Sequence, residues 1–359
     1  MDPVTHFLTG ACLGRSGFNR KTALATVTMV LAAEAADIDV IWGLKGSIAG
    51  LQHHRGITHS FLGVPFIAAA VLGFVYLLHR YRRRRRPLRQ SGPPIRWGFL
   101  YFCALLAALS HLLLDYTTAY GIRLFEPFDY RWYSWDIVFI IEPVILALLV
   151  LGLIVPFLFS LIDREVGAPK RGPRGRVSAR VALIGVVLVW GVRDYQHRRA
   201  VNALEARTYN GVDPLRVSAY PTMVNPFRWY GVVETPAFFV LAPVDSLGPE
   251  VDPEGRMDIR YKPEETAITL AAKRSYAGQV FLDWAQYPIT ETEVLEPPDE
   301  GYIVHFQDLR YEQVPNAFSA DRRRRVLGIG VKLDKSLRVL GDVYTTRNEA
   351  AAEPDRDPP

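Results

Sequence analysis

The chain of 359 residues reads as a membrane-embedded, all-α helical bundle followed by a small extracytoplasmic α+β domain. Three observations predict this class. Long apolar runs are confined to the part before about residue 192, and arginine-rich segments separate them. After residue 200 the pattern changes to short runs rich in β-branched and aromatic residues. The length accommodates two units, expected at 1–200 and 213–345. The tail 346–359, which includes NEAAAEPDRDPP, is too polar to order itself.

Apolar runs of spanning length, roughly 17–25 residues, occur at 61–79, 97–114 and 137–162. A shorter run lies at 178–192 and a weaker one, with embedded acids, at 22–42. About five spans result. Residues 3–14 are too few to cross a bilayer, so they are expected to form a half-helix with its polar ends facing protein or water. MDPVTHFLTG has no basic region ahead of an uninterrupted apolar core, so it does not read as a secretory signal. Cys12 and Cys103 both fall in apolar segments and read as buried thiols.

Loop charge orients the bundle. RSGFNRK (15–21), RYRRRRRPLR (80–89) and PKRGPRGR (169–176) are basic and belong in the cytoplasm. Between spans such runs fix topology, and no nucleic-acid partner is expected. Residues 40–58, 119–135 and the whole C-terminal part then lie outside. RDYQHRR (193–199) is basic and also lands outside, since long domains translocate largely regardless of charge. The expectation is a multi-pass protein of a bacterial-type inner membrane, with the lipid bilayer as its immediate partner.

A charged group at mid-bilayer costs roughly 2.5–3.5 kcal/mol on insertion scales, so acids and histidines in spans are functional candidates. His6 lies near the outer start of the first helix. Glu34, Asp37 and Asp39, in AAEAADIDV, close the second. His53, His54 and His59, in HHRGITHS, stand at the mouth of the third; His111 and Asp115, in SHLLLDYTTAYG, end the fourth; and Asp136 and Glu142, in SWDIVFIIEP, open the fifth. All fall at one membrane face. His111 and Asp115 are four apart and share a helical face.

Imidazole and carboxylate without thiolate suit a divalent metal, with zinc first and manganese or iron as alternatives. The candidate ligands, His6, Glu34, Asp37, Asp39, His54, His59, His111, Asp115 and Asp136, are enough for one to three ions. His53 and His54 are adjacent and face differently, so only one can contribute. Asp37 or Asp115 is a ligand or base, and Arg55 is placed to hold an anion bidentately. Blander roles exist: Glu34 as a cap or partner of Arg55, Asp37 and Asp39 as a solvated helix end. His79, His197 and His305 lie outside the cluster and read as structural.

DPVTHFLTG, EAADIDV, HHRGITHS, SHLLLDYTTAYG and YSWDIVFIIEP, in that order, resemble the YdjM-type inner-membrane family of metal-dependent hydrolases over residues 1 to about 200. That family is more remotely similar to the zinc-dependent phospholipase C and single-strand nuclease superfamily, helical enzymes that hold three zinc ions. By that resemblance His6, Asp37 or Asp39, His59, His111 and Asp115 match its ligands. The superfamily's second His-x-x-x-Asp/Glu motif has no counterpart, because no histidine follows His111 in the membrane part. Either Asp136 or Glu142 substitutes, or fewer metals bind.

Beyond residue 200, RWYGVVETPAFFVLAPV, MDIRYKP, QVFLDWAQYPIT, GYIVHFQDLRYE and VLGIGVKLD read as strands of a mainly antiparallel sheet, with one amphipathic helix over about 264–278. No catalytic constellation is visible there. The expected function is therefore a membrane-bound, metal-dependent hydrolase of phosphoesters such as lipid head groups. A metal or proton transporter is disfavoured because the acids stack at one face. A scaffold with a structural metal differs in leaving no open coordination position.

Overall fold

The computed structural model describes residues 1–85, 92–165, 175–297, 300–312 and 327–344. The expected tail, and much of the two longer arginine segments, lie outside these residues. The N-terminal half is helical and the C-terminal part is built of β-sheets.

Helix α1 (Pro3–Arg15) starts at an Asp2 N-cap whose carboxylate accepts from the Thr5 amide at 3.0 Å. It packs centrally, against α2 (Ala25–Glu34), α5 (Trp97–Tyr116), α6 (Pro143–Glu165) and α7 (Arg176–Glu205). Small residues allow the close approach. A β-carbon at Gly14 would lie 2.5 Å from the Cα of Thr26 in α2.

The run at 22–42 does not form one helix of spanning length. Leu24 adopts a left-handed conformation, so α2 starts late, and it has only ten residues, about 15 Å of rise. From Ala35 to Lys45 the chain tightens into three-ten turns, where Asp39 accepts hydrogen bonds from side chains and backbone of the following loop. Among the described residues two helices are long and apolar enough to cross a membrane, α4 (Gly63–Arg85) and α5. The expected five are not shown. Helix α6 carries a shorter apolar stretch, Pro143–Phe159, and starts later than the apolar run suggests.

Helices α4 and α5 form a hairpin that packs on α2 through Met29, Ala32, Ala68, Val71, Leu100 and Ala104. A short helix α3 (Ser47–His53) and a three-ten turn (Ile57–His59) precede α4. The turn presses against the start of α4 so closely that a β-carbon at Gly63 would lie 2.0 Å from the Ile57 carbonyl oxygen.

Helix α7 runs on past its apolar part and carries the first sheet. Arg193 is buried and pairs with Glu142 at 2.6 Å while donating to the Thr222 carbonyl. Breaking such a pair costs about 3–5 kcal/mol. The first sheet joins β1 (Arg216–Pro221), β2 (Arg228–Glu234), β3 (Phe238–Asp245) and β4 (Glu250–Val251), with β5 (Asp258–Tyr261) also on β3. The second is an antiparallel meander of β6 (Pro288–Leu295), β7 (Gly301–Asp308), β8 (Gly328–Leu333) and β9 (Val339–Tyr344).

Two helices, not one, stand between the sheets: α8 (Ala267–Arg274) and α9 (Tyr276–Trp284). Ser275 is extended and its hydroxyl caps α9 through the Gly278 amide, which divides the expected single helix. QVFLDW is accordingly helical, and only the end of the segment read as a strand enters β6. Phe281 and Trp284 of α9 pack with Ile48 and Leu51 of α3, so the sheet-bearing part is fused to the loop before α4.

Gly63→Val is expected to destabilise the protein by about 1–3 kcal/mol, as overpacking does. Thermal melting in detergent checks this; an unchanged midpoint contradicts the close packing.

Candidate metal centre

His59 is carried by the three-ten turn before α4, and His111 and Asp115 by successive turns of α5. Asp37 comes from the three-ten segment after α2. One ligand atom from each, Asp37, His59, His111 and Asp115, lies within 4.8 Å of the others. The two histidine Nε2 atoms are 3.0 Å apart. From His59 Nε2, Asp37 Oδ1 is 3.3 Å away and Asp115 Oδ2 is 3.2 Å away.

The remote nitrogens show what these atoms can be. His111 Nδ1 lies 2.6 Å from the Ala33 carbonyl oxygen, which only accepts, so Nδ1 carries the proton. His59 Nδ1 faces Asp39 Oδ2 at 3.1 Å and the Thr58 hydroxyl at 3.0 Å. That hydroxyl itself donates to Asp39 Oδ2, so Nδ1 of His59 is also a donor. Both imidazoles turn Nε2 toward each other and toward two carboxylate oxygens. With both Nε2 atoms unprotonated, as metal ligation requires, four acceptors converge here, and all but Asp37 are fully buried. Burying unpaired acceptors is costly, and a divalent cation satisfies all four. The residues therefore fit a metal.

Around this core the other candidates take different places. His6 stacks on His111 with ring centroids 3.8 Å apart and puts Nε2 3.3 Å from Asp115 Oδ1. Both its nitrogens are buried without a hydrogen-bond partner, so it is the natural additional ligand. Asp39 and His54 stand behind His59. Asp39 Oδ1 accepts from His54 Nδ1 at 2.9 Å, and Oδ2 accepts from the Arg55 amide at 2.8 Å. Burial opposes the Asp39 charge, but the bonds from His54 and His59 outweigh it and hold the carboxyl below its usual range. This is the carboxylate behind a metal-binding histidine that fixes its tautomer.

Arg55 is buried in a left-handed conformation, φ 58°, a strain of about 1–3 kcal/mol for a non-glycine residue. Its Nη2 donates to Asp115 Oδ1 at 2.9 Å and Nη1 to Thr118 Oγ1 at 3.2 Å, leaving Nε without a partner. The Met1 amino group also meets Asp115 Oδ1. Oδ1 of Asp115 is thus held in place and Oδ2 faces the cluster. Glu34 is within reach of the Phe7 amide, with Oε1 buried and without a hydrogen-bond partner.

Asp136 is elsewhere, beside Ser134, Arg310 and Asp308 at the junction with the sheets, where burial pushes its carboxyl up to about 6. Glu142 belongs to Arg193, and His53 packs on Trp42. Three contributors escape a sequence reading, Thr58, Thr118 and Tyr120. Their only signal is position, inside the motifs GITHS and DYTTAYG. Tyr120 lies under the Arg55 guanidinium at 4.8 Å and its carbonyl accepts from Trp284 Nε1 at 3.1 Å, linking the site to α9. Arg310 donates to the Ala119 carbonyl at 2.6 Å, and Arg123 pairs with Asp283.

The cluster opens where Asp37 stands, its side chain 27% exposed. A cavity of about 300 Å³ is walled by Val40, Leu51, His54 and Tyr120, of which His54 bonds Asp39 and Tyr120 lies under Arg55. Ile38, Val40, Ile41 and Leu44 nearby are exposed apolar residues, Leu44 to 90%.

With this geometry in view, the comparisons with known proteins are concordant. The YdjM inner membrane protein family matches residues 1–200, the part that contains every residue of the cluster. The chain belongs to this family. Membership supports an inner-membrane location. The Bacillus subtilis (strain 168) "Uncharacterized protein YfhP" is 25% identical over 322 residues, covering 87% of each chain, and so is similar through the sheets as well. No solved structure matches.

Asp39→Asn is expected to weaken metal binding about 10–100-fold while leaving every ligand atom present. Competition against a fluorescent zinc chelator measures this. Unaltered affinity contradicts the role given to Asp39.

Proposed function

We propose that this YdjM-family protein is a membrane-bound, metal-dependent hydrolase of phosphoesters presented at the membrane surface, such as lipid head groups. The observation that carries the reading is the convergence of one ligand atom each from Asp37, His59, His111 and Asp115 within 4.8 Å, at a site open on its Asp37 side, beside exposed apolar residues. One to three divalent ions, zinc first, would be held by Asp37, His59, His111 and Asp115 with His6. Bound there, a divalent ion supplies activated water and polarises a phosphoryl oxygen.

The protein's own groups supply the rest. Asp39 and Arg55 orient His59 and Asp115. The spare Nε–H of Arg55 can donate to a phosphate oxygen once the loop admits one. His54, held through Nδ1 by Asp39, lines the cavity and is the group that would protonate a leaving oxygen. Tyr120 and Val40 exclude water from the cavity wall. The exposed row from Ile38 to Leu44 suits an interface with lipid, with Trp42 and Lys45 in contact as an interfacial anchor. The topology that follows has about five spans, the metal face and the sheets outside the cytoplasm, and the arginine segments within it.

A second reading has its own observation. Two histidines and two aspartates are four ligands, enough to close a structural metal site with no open position. Transport is disfavoured, because the sequence between Asp39 and Asp115 contains no acid to continue an ion path along the hairpin.

Purified protein loaded with zinc or manganese is expected to cleave bis(p-nitrophenyl) phosphate or phospholipid vesicles, and chelation should abolish this. His54→Ala should lower kcat about 10²–10⁴-fold, as loss of a general acid does, with metal content unchanged. A protein that retains one metal tightly and cleaves no phosphoester supports the structural reading and sinks the hydrolase.

A further inference from the structure

The α4–α5 hairpin carries its metal cluster at one end and a second constellation at the other. Between the end of α4 and the start of α5 lies a cavity of about 500 Å³. Its cationic wall is Arg80, Arg83 and Arg84, and its aromatic wall is Tyr76, His79 and Trp97. Trp97 organises the aromatic side, with the Tyr76 ring edge-on at 5.0 Å and the His79 ring at 5.9 Å.

Three features make this more than a solvated helix end. The residues at 80, 82–86, 89 and 96 are all arginine, and the sequence has no acid anywhere between Asp39 and Asp115 to balance them. Among the described residues no carboxylate pairs with Arg80, Arg83 or Arg84. The arginines also fall in two sets. Arg80, Arg83 and Arg84 follow the i, i+3, i+4 spacing of one helical face and line the cavity, whereas Arg82 and Arg85 do not, and Arg85 stacks on Tyr81.

Guanidinium forks bind phosphate oxygens bidentately, and Trp and Tyr settle where head groups meet acyl chains. Both lie at one end of helices long and apolar enough to span. We propose that this cavity binds the phosphate head group of an anionic phospholipid, anchoring the hairpin at the face opposite the metal cluster. The site takes no part in the proposed hydrolysis and stands or falls independently of it.

The test is a titration of the full-length, detergent-purified protein with short-chain phosphatidylglycerol, read by the shift in melting temperature. Phosphatidylcholine of equal chain length and inorganic phosphate serve as the other arms. Saturable stabilisation by phosphatidylglycerol alone is expected. Arg80→Gln/Arg83→Gln should weaken it about ten-fold or more, while Arg82→Gln/Arg85→Gln, which removes the same charge outside the cavity, should leave it within about two-fold. Equal losses in both variants show a diffuse basic surface and overturn the site. Equal saturation by inorganic phosphate overturns the lipid assignment, and no saturable binding by the unaltered protein overturns the proposal without recourse to any variant.

Discussion

The hydrogen bond from His59 Nδ1 to Asp39 is the constraint on which the centre depends. It orients the imidazole, and with the matching bond from His111 Nδ1 to the Ala33 carbonyl it brings the two Nε2 atoms 3.0 Å apart. Asp39 also draws the Arg55 amide and the Thr58 hydroxyl to one oxygen, so the loop that carries His59 is built around this carboxylate. The left-handed Arg55 and the absence of a β-carbon at Gly63 are what allow the loop to close.

The same loop explains why the sheets matter to the site. Helix α3 packs on α9, and the segment after α5 is held by Trp284, Arg310 and Asp283. Both approaches to the cluster, before His59 and after Asp115, are therefore braced by the C-terminal part of the chain. Tyr120 is the junction, touching Arg55 on one side and Trp284 on the other.

Much of the centre was legible in the sequence. The four-residue spacing of His111 and Asp115 and the asymmetry of loop charge were sufficient to bring histidines and acids to one end of the bundle. The choice between Asp37 and Asp39 was not legible, because both lie in three-ten turns where no simple periodicity applies. Only the tertiary contact with His59 puts one carboxylate in the cluster and the other behind it. Asp136 and Glu142 misled for a related reason: a buried acid signals a partner, and here the partners are a polar junction and Arg193. Two helices rather than five show the length and apolar content to span, because the run at 22–42 divides into a ten-residue helix packed on α1 and α5 and a three-ten segment. In the C-terminal part, Ser275 broke one expected helix into two through a cap that hydropathy does not register.

The most direct test of the account is X-ray absorption at the metal edge of purified protein loaded with zinc. The geometry predicts a first shell of nitrogen and oxygen with multiple scattering from at least two imidazoles, lost in His59→Ala/His111→Ala. A protein that takes up no metal, or a shell without imidazole scattering, would contradict the claim that these converging lone pairs hold a cation.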